Sequence, residues 1–568
     1  MSDNAAKFLR LSVLVSRVLP LVQNHCVGLG TPWPRYTLFL SLCNTHERAR
    51  VIHQTGDDFS STWDMLVEQA HLLVQRENFD VQWLRVDWVT SIREITWKGL
   101  RASLKAVKRN YFRYGLALDP TFSTAFLEGE LNANAMLYGG SHIEHAVVNE
   151  KNFRIYSGQR FKNREINFGD DEKLWVLLTQ GVFCAADEKP QLLYRSGLDA
   201  GRRIVGLDAE LATRLIDDGS RYLSTQLKDN GRFRYGWHPC FDRAINAYNT
   251  LRHASTTYSM LESWEVTNDP GLKQAIDRSI GYLVSELIKT ATLPDGQTAA
   301  FLLDVDNEIK LGGNAVCILA LVKYVELFQA DQHRELLEQL ALGIAHMQNV
   351  ETGAFVHVLQ YPELEVKDAF RVIYYDGEAA FALMRLYGLT RDERWLAVVE
   401  NAFRYFIAKE HWRNHDHWLS YCVNELTMYR PTAEYYEFGI RNVADYLDFV
   451  RTRITTFPTL LELMMATELM ISRLVRDPKM RHLLDGLDMR KVQRAIDFRA
   501  NHLMNGHFWP ELAMYYRNPR RIVGSFFIRH HAFRVRIDDV EHYLSGFVAY
   551  RRFLLKNGGS NTLSYLHG

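Results

Sequence analysis

From Leu207 onward the chain is a succession of helical runs separated by short turns rich in Gly, Asp, Asn or Pro. The turns resemble one another at residues 230–235 (NGRFRY), 352–357 (TGAFVH) and 505–509 (NGHFW). The helix starts that follow such turns recur roughly every 40 to 80 residues, a spacing typical of repeated supersecondary units. Because one helical hairpin cannot bury its apolar face alone, successive hairpins must pack against one another.

Two kinds of helix alternate in this region. Residues 313–325 (GNAVCILALVKYV) carry almost no charge, as a helix covered on both sides would. Residues 333–347 (HRELLEQLALGIAHM) are amphipathic and suit an outer position. Apolar helices that begin with small or polar residues lie at 248–262, 311–324, 375–387, 417–426 and 538–550. About six hairpins over residues 207–556 therefore predict a closed ring with inner and outer helices, an (α/α)6 toroid.

The first part of the chain has a different pattern and predicts an α+β domain. Apolar or alternating stretches indicate strands at 36–43, 49–54, 81–88, 145–149, 153–158 and 174–185. Helical spacing indicates an amphipathic first helix, a second helix at 60–77 and a basic helix at 97–111. The expected fold is an α+β domain over residues 1–200, followed by the all-α toroid over 201–568.

Charge and cysteine content limit the functional classes. Lys and Arg number 67 and Asp and Glu number 67, and this balance argues against a nucleic-acid partner. The hydrophobic share of 47% excludes a disordered chain. The six cysteines are scattered without a C-x-x-C pair, which favours a reducing compartment. We therefore expect a cytoplasmic protein, and the sequence predicts no membrane span.

The helical part resembles the six-hairpin glycosidase-like superfamily. The resemblance rests on the repeated hairpins with G-x-F/Y returns, and on helix starts of the G-G-N-A and Y-D-G-E-A-A types at residues 312–315 and 375–380. It covers about residues 200–556 and implies the toroid of many carbohydrate-active enzymes, in which ligands bind at the mouth formed by the inner helix starts. Terpenoid cyclases, protein prenyltransferases and lanthipeptide cyclases share the toroid, so the fold leaves the reaction open. No resemblance is assigned to the first domain.

Acidic, basic and aromatic side chains gather at the predicted helix starts, a mix that suits a sugar. Aromatic rings stack on its C–H faces, and charged groups bind its hydroxyls. Glycoside cleavage needs two carboxyl groups, whereas elimination or epimerisation needs a base and an acid beside a C–H bond. The candidates for acid–base catalysis are Asp376, Asp538, Asp539, His253, His417 and His542. The candidates for substrate binding are Trp237, His238, Arg252, Tyr375, Glu378, Trp418, Trp509 and Arg536.

These candidates also have structural interpretations. A carboxylate at a helix start, such as Asp376 or Asp538, can cap the helix. Arg252 and His253 form a polar pair inside a helix, which requires either partners or a cavity. Trp237 and Trp509 suit a core as well as a stacking wall.

Cofactor and metal motifs are not evident in the sequence. It contains neither a phosphate-binding G-x-x-x-x-G-K-[ST] loop nor a dinucleotide-binding G-x-G-x-x-G after a strand. His415 and His417 could begin a metal site, but no Cys or third His is placed to complete it. We therefore expect neither a cofactor nor a metal.

The leading hypothesis is a carbohydrate-active enzyme, a hydrolase, lyase or epimerase, that acts on a saccharide at the mouth of the toroid. Arg252 and Arg536 suggest an acidic saccharide, for example one of the cell envelope. Two alternatives stay open. One is a non-catalytic binding or assembly subunit that works with proteins of capsule or other envelope-polymer synthesis. The other is a toroid cyclase or transferase acting on an apolar or peptide substrate.

Overall fold

The computed structural model describes residues 3–162 and 165–563. The chain divides into two compact units. Unit 1 comprises Met1–Val205, Trp237–Ala244 and Asn505–Val535, and unit 2 comprises Gly206–Gly236, Ile245–Met504 and Arg536–Gly568. Two short segments that the sequence assigns to the helical domain therefore group with unit 1. The outer ends of both expected domains, residues 1–2 and 564–568, lie outside the described residues.

Unit 1 is built on an antiparallel sheet. The elements of the first part of the chain are α1 (Asp3–His25), β1 (Tyr36–Cys43), β2 (Arg50–Gly56), α2 (Phe59–Glu77), β3 (Trp83–Thr96), α3 (Trp97–Leu104), β4 (Gly115–Ala117), β5 (Ala125–Phe126), α4 (Glu128–Ala133), α5 (Glu150–Phe161), β6 (Lys173–Ala185) and β7 (Gln191–Leu192). The strands pair in the order β2-β1-β3-β6-β4-β5, and β7 pairs with β6. Both long strands, β3 and β6, lie at the centre.

The two faces of this sheet have different partners because successive side chains alternate along a strand. Leu84 and Trp88 of β3 join an apolar core with residues of α1 and α2. On the alternate register of the same strand, Arg85 lies 5.5 Å from the ring of Tyr515. Ser41 of β1 also hydrogen-bonds to Tyr515, at 3.0 Å. The segment Asn505–Val535 thus covers the second face.

Three local predictions in this unit are wrong. Residues 153–158, expected as a strand, lie in α5, where Phe153 and Tyr156 are buried at helical spacing. The helix expected at 97–111 ends at Leu104, and Asn110 takes a left-handed φ of 64°. Residues 145–149 form no strand; His145 makes one isolated bridge to Lys108. A short segment with only a few alternating residues fits both the helical period of 3.6 residues and the strand period of 2, so its packing decides between helix and strand.

The second part of the chain is mostly helical. Its elements are α6 (Ala209–Gln226), β8 (Gly236–His238), β9 (Arg243–Ala244), α7 (Thr250–Thr267), α8 (Pro270–Tyr282), β10 (Ile288–Thr292), β11 (Thr298–Leu302), β12 (Glu308–Lys310), α9 (Leu311–Phe328), α10 (Arg334–His346), β13 (Val358–Gln360), β14 (Glu365–Asp368), α11 (Tyr375–Thr390), α12 (Glu393–Ala408), α13 (His417–Tyr429), α14 (Ala433–Ala444), α15 (Leu447–Thr452), α16 (Thr459–Leu474), α17 (Met489–Leu503), α18 (Pro510–Ala513), α19 (Pro519–Ile522), β15 (Val535–Arg536) and α20 (Ile537–Lys556).

Six helices of unit 2 form a closed ring. Helices α7, α9, α11, α13, α16 and α20 each pack against the next, and α20 packs against α7. Helices α6, α8, α10, α12, α14 and α17 lie outside them, each against at least one inner helix. The predicted (α/α)6 arrangement of an inner and an outer layer is therefore confirmed.

The inner helix α9 is the one helix among the described residues that is long and apolar enough to cross a membrane. Its mean hydropathy is 1.6 over 18 residues, and 72% of that stretch is buried. The neighbours α7 and α11 flank it, which accounts for an apolar surface on both sides.

Two of the three recurring turns require glycine for the same physical reason. Gly231 and Gly353 take left-handed φ values of 83° and 81°. A Cβ at either position would lie 2.1 Å from a backbone oxygen, of Arg278 or Asn401 respectively. Both glycines thus let the turn approach the next outer helix closely. The third turn, at residues 505–509, lies in unit 1 and is not an equivalent return.

Candidate functional site

Ionisable side chains from four inner helices meet inside unit 2. We call this set the ring cluster: Glu378 of α11, His417 of α13, Glu462 of α16, and Glu541 and His542 of α20. His542 Nδ1 lies 2.9 Å from Glu462 Oε2, and its Nε2 lies 3.6 Å from Glu541 Oε1. The imidazole rings of His417 and His542 are 5.5 Å apart, centroid to centroid. The first two turns of four inner helices thus place acid, base and carboxyl groups together.

His417 is held neutral. It is buried, and burial lowers its pKa to about 3. Its Nδ1 lies 3.4 Å from Asp416 Oδ1, which favours a proton on Nδ1. Asp416 is itself fixed as the cap of α13, accepting from Trp418 N at 2.9 Å. The Nε2 of His417 is buried and has no hydrogen-bond partner among the described residues, so its lone pair is free.

His542 is held protonated. Burial alone would lower its pKa, but Glu462 and Glu541 outweigh burial and raise the pKa to about 10. Tyr421 also donates to Glu462, from its hydroxyl at 3.3 Å. A neutral imidazole and an imidazolium therefore lie side by side at neutral pH.

The two other carboxyls of the ring cluster have raised pKa values. Burial raises the pKa of Glu541 to about 8, although Ser255 donates to it at 2.5 Å. Burial raises the pKa of Glu378 well above its usual range, and its Oε2 has no hydrogen-bond partner among the described residues. Gly312 of α9 leaves room for this carboxyl, since a Cβ there would lie 1.9 Å from Glu378 Oε2. Burial thus opposes the ionisation of both carboxyls.

Asp376 contacts two histidines that lie in segments connecting the helices of unit 2. Its Oδ1 accepts from His357 Nε2 at 3.2 Å, and its Oδ2 lies 3.6 Å from His411 Nδ1. The Nδ1 of His357 accepts from the backbone of Arg371 at 3.0 Å, so its proton lies on Nε2. With both oxygens facing these histidines, Asp376 is better suited to positioning than to the catalytic role expected from the sequence.

The predicted arginines and aspartates at α20 pair with one another. Asp538 Oδ2 lies 2.9 Å from Arg252 Nε and 2.9 Å from Arg536 Nη2. Asp539 Oδ1 lies 3.1 Å from Arg536 Nη2. Two guanidinium groups thus face two carboxyls, and both positive charges already have internal partners. The charge that suggested an acidic saccharide is therefore compensated within the protein.

His253 of α7 lies at the contact between α7 and α8. Its Nδ1 lies 2.7 Å from the Tyr248 hydroxyl, and its Nε2 lies 3.1 Å from the Ser279 carbonyl oxygen. Burial lowers its pKa to about 4. Both ring nitrogens have structural partners, so His253 is a core residue and not a member of the ring cluster.

Two predicted aromatics lie near the cluster but are packed in the protein. Trp418 is 6% exposed and its ring centroid is 5.0 Å from that of His417. Tyr375 is 7% exposed and lies 5.4 Å from His357, centroid to centroid. These rings support the imidazoles beside them.

The remaining predicted binders belong to unit 1. Trp237 lies under the guanidinium of Arg521 at 3.9 Å, and Trp509 lies under that of Arg203 at 5.2 Å. His238 follows Trp237, and burial lowers its pKa. These three residues thus belong to a different compact unit from the ring cluster.

Sequence reasoning missed Glu462, His357 and His411. Glu462 has a signal in hindsight, because it interrupts the apolar run LLELMM of an inner helix. The ligand atoms of His417, Glu462 and His542 also lie within 4.8 Å of one another, close enough to hold a metal ion. These residues come from three distant parts of the chain, so no local motif reveals the combination.

No protein-family model matches the chain, and no curated protein is similar to it. Solved structures are similar over the C-terminal 61% of the chain. A D-mannose isomerase has a TM-score of 0.45 at 12% identity over 97% of its own chain. The cellobiose 2-epimerase from Bacillus thermoamylovorans B4167 has a TM-score of 0.45 at 10% identity over 99% of its chain. The GH76A alpha-1,6-mannanase from Salegentibacter sp. HEL1_6 has a TM-score of 0.41 at 12% identity over 99% of its chain. The likeness concerns the arrangement of helices.

Proposed function

We propose that unit 2 is an enzyme that moves protons on a neutral saccharide, with His417 as general base and His542 as general acid. The observation that carries the proposal is the pair of imidazoles 5.5 Å apart whose pKa values are shifted in opposite directions. Neighbouring titratable groups whose environments push their pKa values apart indicate which group acts as base and which as acid.

The reaction class follows from what each imidazole offers. His417 Nε2 has a free lone pair that can take a proton from a carbon next to a carbonyl group. His542 carries a proton that it can donate to the carbonyl oxygen, or back to carbon. Removal and return of a proton in this way epimerises or isomerises a reducing sugar.

Hydrolysis has less support, because it needs an ionised carboxylate as base or nucleophile opposite a protonated one. Burial raises the pKa values of Glu378 and Glu541, and Glu462 is engaged with His542. Neutral carboxyls are better suited to donating hydrogen bonds to sugar hydroxyls. The compensated pairs of Arg252 and Arg536 favour a neutral sugar over an acidic one.

The test is solvent exchange at carbon. The protein is incubated in D2O with glucose, mannose or cellobiose, and deuterium at C2 is followed by proton NMR. We expect exchange with at least one sugar, and a loss of at least about 100-fold in His417→Asn and in His542→Asn. His333→Asn is the matched control, since His333 precedes the outer helix α10 and lies outside the ring cluster. Full exchange in both cluster variants would contradict the proposal.

A chelator separates this proposal from a metal-dependent reaction at the same residues. We expect deuterium exchange to survive dialysis against EDTA, because neither imidazole needs an ion for proton transfer. Loss of exchange on chelation, with recovery on adding Zn²⁺, would instead assign His417, Glu462 and His542 as metal ligands.

A further inference from the structure

Unit 1 contains a small cavity lined by four arginine side chains, those of Arg85, Arg113, Arg202 and Arg529. Its volume is about 30 Å³. One water molecule needs roughly 10–15 Å³ on this measure, so the cavity has room for about two waters or one small ion. Its lining comes entirely from unit 1.

Arg529 differs from the other three arginines of the cavity in its carboxylate partner. Arg85 pairs with Asp87, Arg113 with Glu128 and Arg202 with Asp199. Glu511, which also lines the cavity, pairs with Arg203. Arg529 shares Glu128 with Arg113, so its positive charge is only partly compensated.

The side chain of Arg529 is buried, and the residue is 4% exposed. The carboxylate oxygen of Glu128 lies 3.7 Å from its Nη1, beyond hydrogen-bond distance, and already accepts from Arg113. Within the described residues its guanidinium donates one hydrogen bond, from Nη1 to the carbonyl oxygen of Asn110 at 3.4 Å. The other N–H groups of this guanidinium have no hydrogen-bond acceptor among the described residues.

Aromatic rings hold the guanidinium in place. Its Cζ lies 5.0 Å from the ring centroid of Phe533, 5.7 Å from that of Tyr111 and 5.8 Å from that of Phe527. Such contacts stabilise a cation but supply no negative charge. A buried charge without a full counter-charge is costly, and burial accordingly lowers the pKa of Arg529 to about 10.

We propose that this cavity binds a small monovalent anion, either chloride or a small carboxylate, beside the guanidinium of Arg529. One negative charge beside Arg529 would complete the partial compensation that Glu128 provides, and the small volume favours a small ion. The site shares no residue with the ring cluster, so a negative result for anion binding would not contradict the proposed function.

The experiment measures anion binding by the full chain at constant ionic strength, with a bulky sulfonate as the balancing anion. Chloride binding is followed by the line width of the ³⁵Cl NMR signal, and formate binding by its competition with chloride. We expect saturable binding by the native protein, and a rise in unfolding temperature with chloride or formate concentration. Displacement of chloride by formate at lower concentration identifies a carboxylate as the preferred ligand, and failure of formate to displace it identifies chloride.

Two substitutions at the cavity have opposite expected effects. Arg529→Met removes the partly compensated charge and should weaken anion binding at least about tenfold. Glu128→Gln removes a negative charge and should tighten binding several-fold. Arg154→Met is the control, because Arg154 also lies over an aromatic ring, that of Phe168 at 4.8 Å, but does not line the cavity.

The absence of saturable binding by the native protein would overturn the proposal, as would equal affinity in Arg529→Met. If Arg529→Met does not fold, Arg529→Lys and Glu128→Gln decide the question. An affinity that is unchanged or lower in Glu128→Gln would then contradict an anion site at Arg529.

Discussion

At the residue scale, the ring cluster contains two histidines whose pKa values are shifted in opposite directions. Burial of His417 outweighs the nearby charge of Glu462, so its pKa falls to about 3. His542 is also buried, but Glu462 and Glu541 raise its pKa to about 10. The difference comes from residues on α16 and α20 and not from the histidines themselves. The chain thereby supplies a base and an acid with one residue type.

Gly312 is expected to be essential for the position of Glu378. In Gly312→Ala the new methyl group would lie 1.9 Å from Glu378 Oε2, so the carboxyl must move. We expect a loss of about 1–3 kcal/mol in unfolding free energy, measured in urea, together with slower deuterium exchange. Gly313→Ala is the control, since its nearest neighbour would be Leu302 Cδ2 at 3.5 Å, an ordinary contact. Equal effects at both positions would contradict this account.

Asp376 is expected to tolerate an isosteric change. In Asp376→Asn the amide oxygen can still accept from His357 Nε2, so exchange activity should stay within about threefold of native. In Asp376→Ala that buried donor loses its acceptor, at a cost of about 1–3 kcal/mol in unfolding free energy. A complete loss of turnover in Asp376→Asn with unchanged stability would restore Asp376 as a catalytic residue.

At the element scale, the hairpins of unit 2 are held together by buried polar contacts as well as by apolar faces. His253 joins α7 to α8 through the Ser279 carbonyl oxygen, with its imidazole neutral. The returns at Gly231 and Gly353 bring two of the hairpins close to the next outer helix. Because this glycine return is repeated, it contributes to the sequence pattern that predicts the ring.

The neutral state of His253 makes the α7–α8 contact sensitive to acid. Its pKa is about 4 in the folded protein, against 6.5 as the ordinary value. Between these values the unfolded chain binds more protons, so stability should fall as the pH drops from 6.5 towards 4. One pKa unit corresponds to about 1.4 kcal/mol, so this histidine alone can account for a loss of a few kcal/mol.

Urea unfolding at pH 7 and pH 5 measures this effect. The difference in unfolding free energy between the two pH values should be smaller in His253→Gln than in the native protein. The same difference in both proteins would assign the acid sensitivity to other groups.

At the scale of the whole molecule, the sequence predicts the architecture better than the membership of each unit. Periodicity reveals six hairpins, because both inner and outer helices have distinctive patterns. It also selects His417, His542 and Glu378, which lie in the first two turns of inner helices. It cannot place Trp237 or Trp509, because local patterns do not say that their segments pack with unit 1. Glu462 was missed because its partners are distant in sequence.

The composition of unit 1 predicts how a fragment behaves. The segment Asn505–Val535 covers one sheet face through Tyr515, which contacts Ser41 and Arg85. A fragment of residues 1–205 lacks this cover and would expose that face. We expect it to be poorly soluble or to lose its near-ultraviolet circular dichroism, and the full chain to keep both properties. A soluble fragment with native-like near-ultraviolet signals would contradict this division of the chain.

The most direct test of the account is the protonation of the two imidazoles. In ¹⁵N-histidine-labelled protein, the ring signals of His417 and His542 are assigned by their loss in the His→Asn variants and followed by NMR from pH 5 to pH 9. We expect His417 to remain neutral, with one unprotonated ring nitrogen, and His542 to remain doubly protonated across the whole range. If both imidazoles instead titrate together near pH 6.5, the ring does not separate an acid from a base, and the proposed proton transfer is wrong.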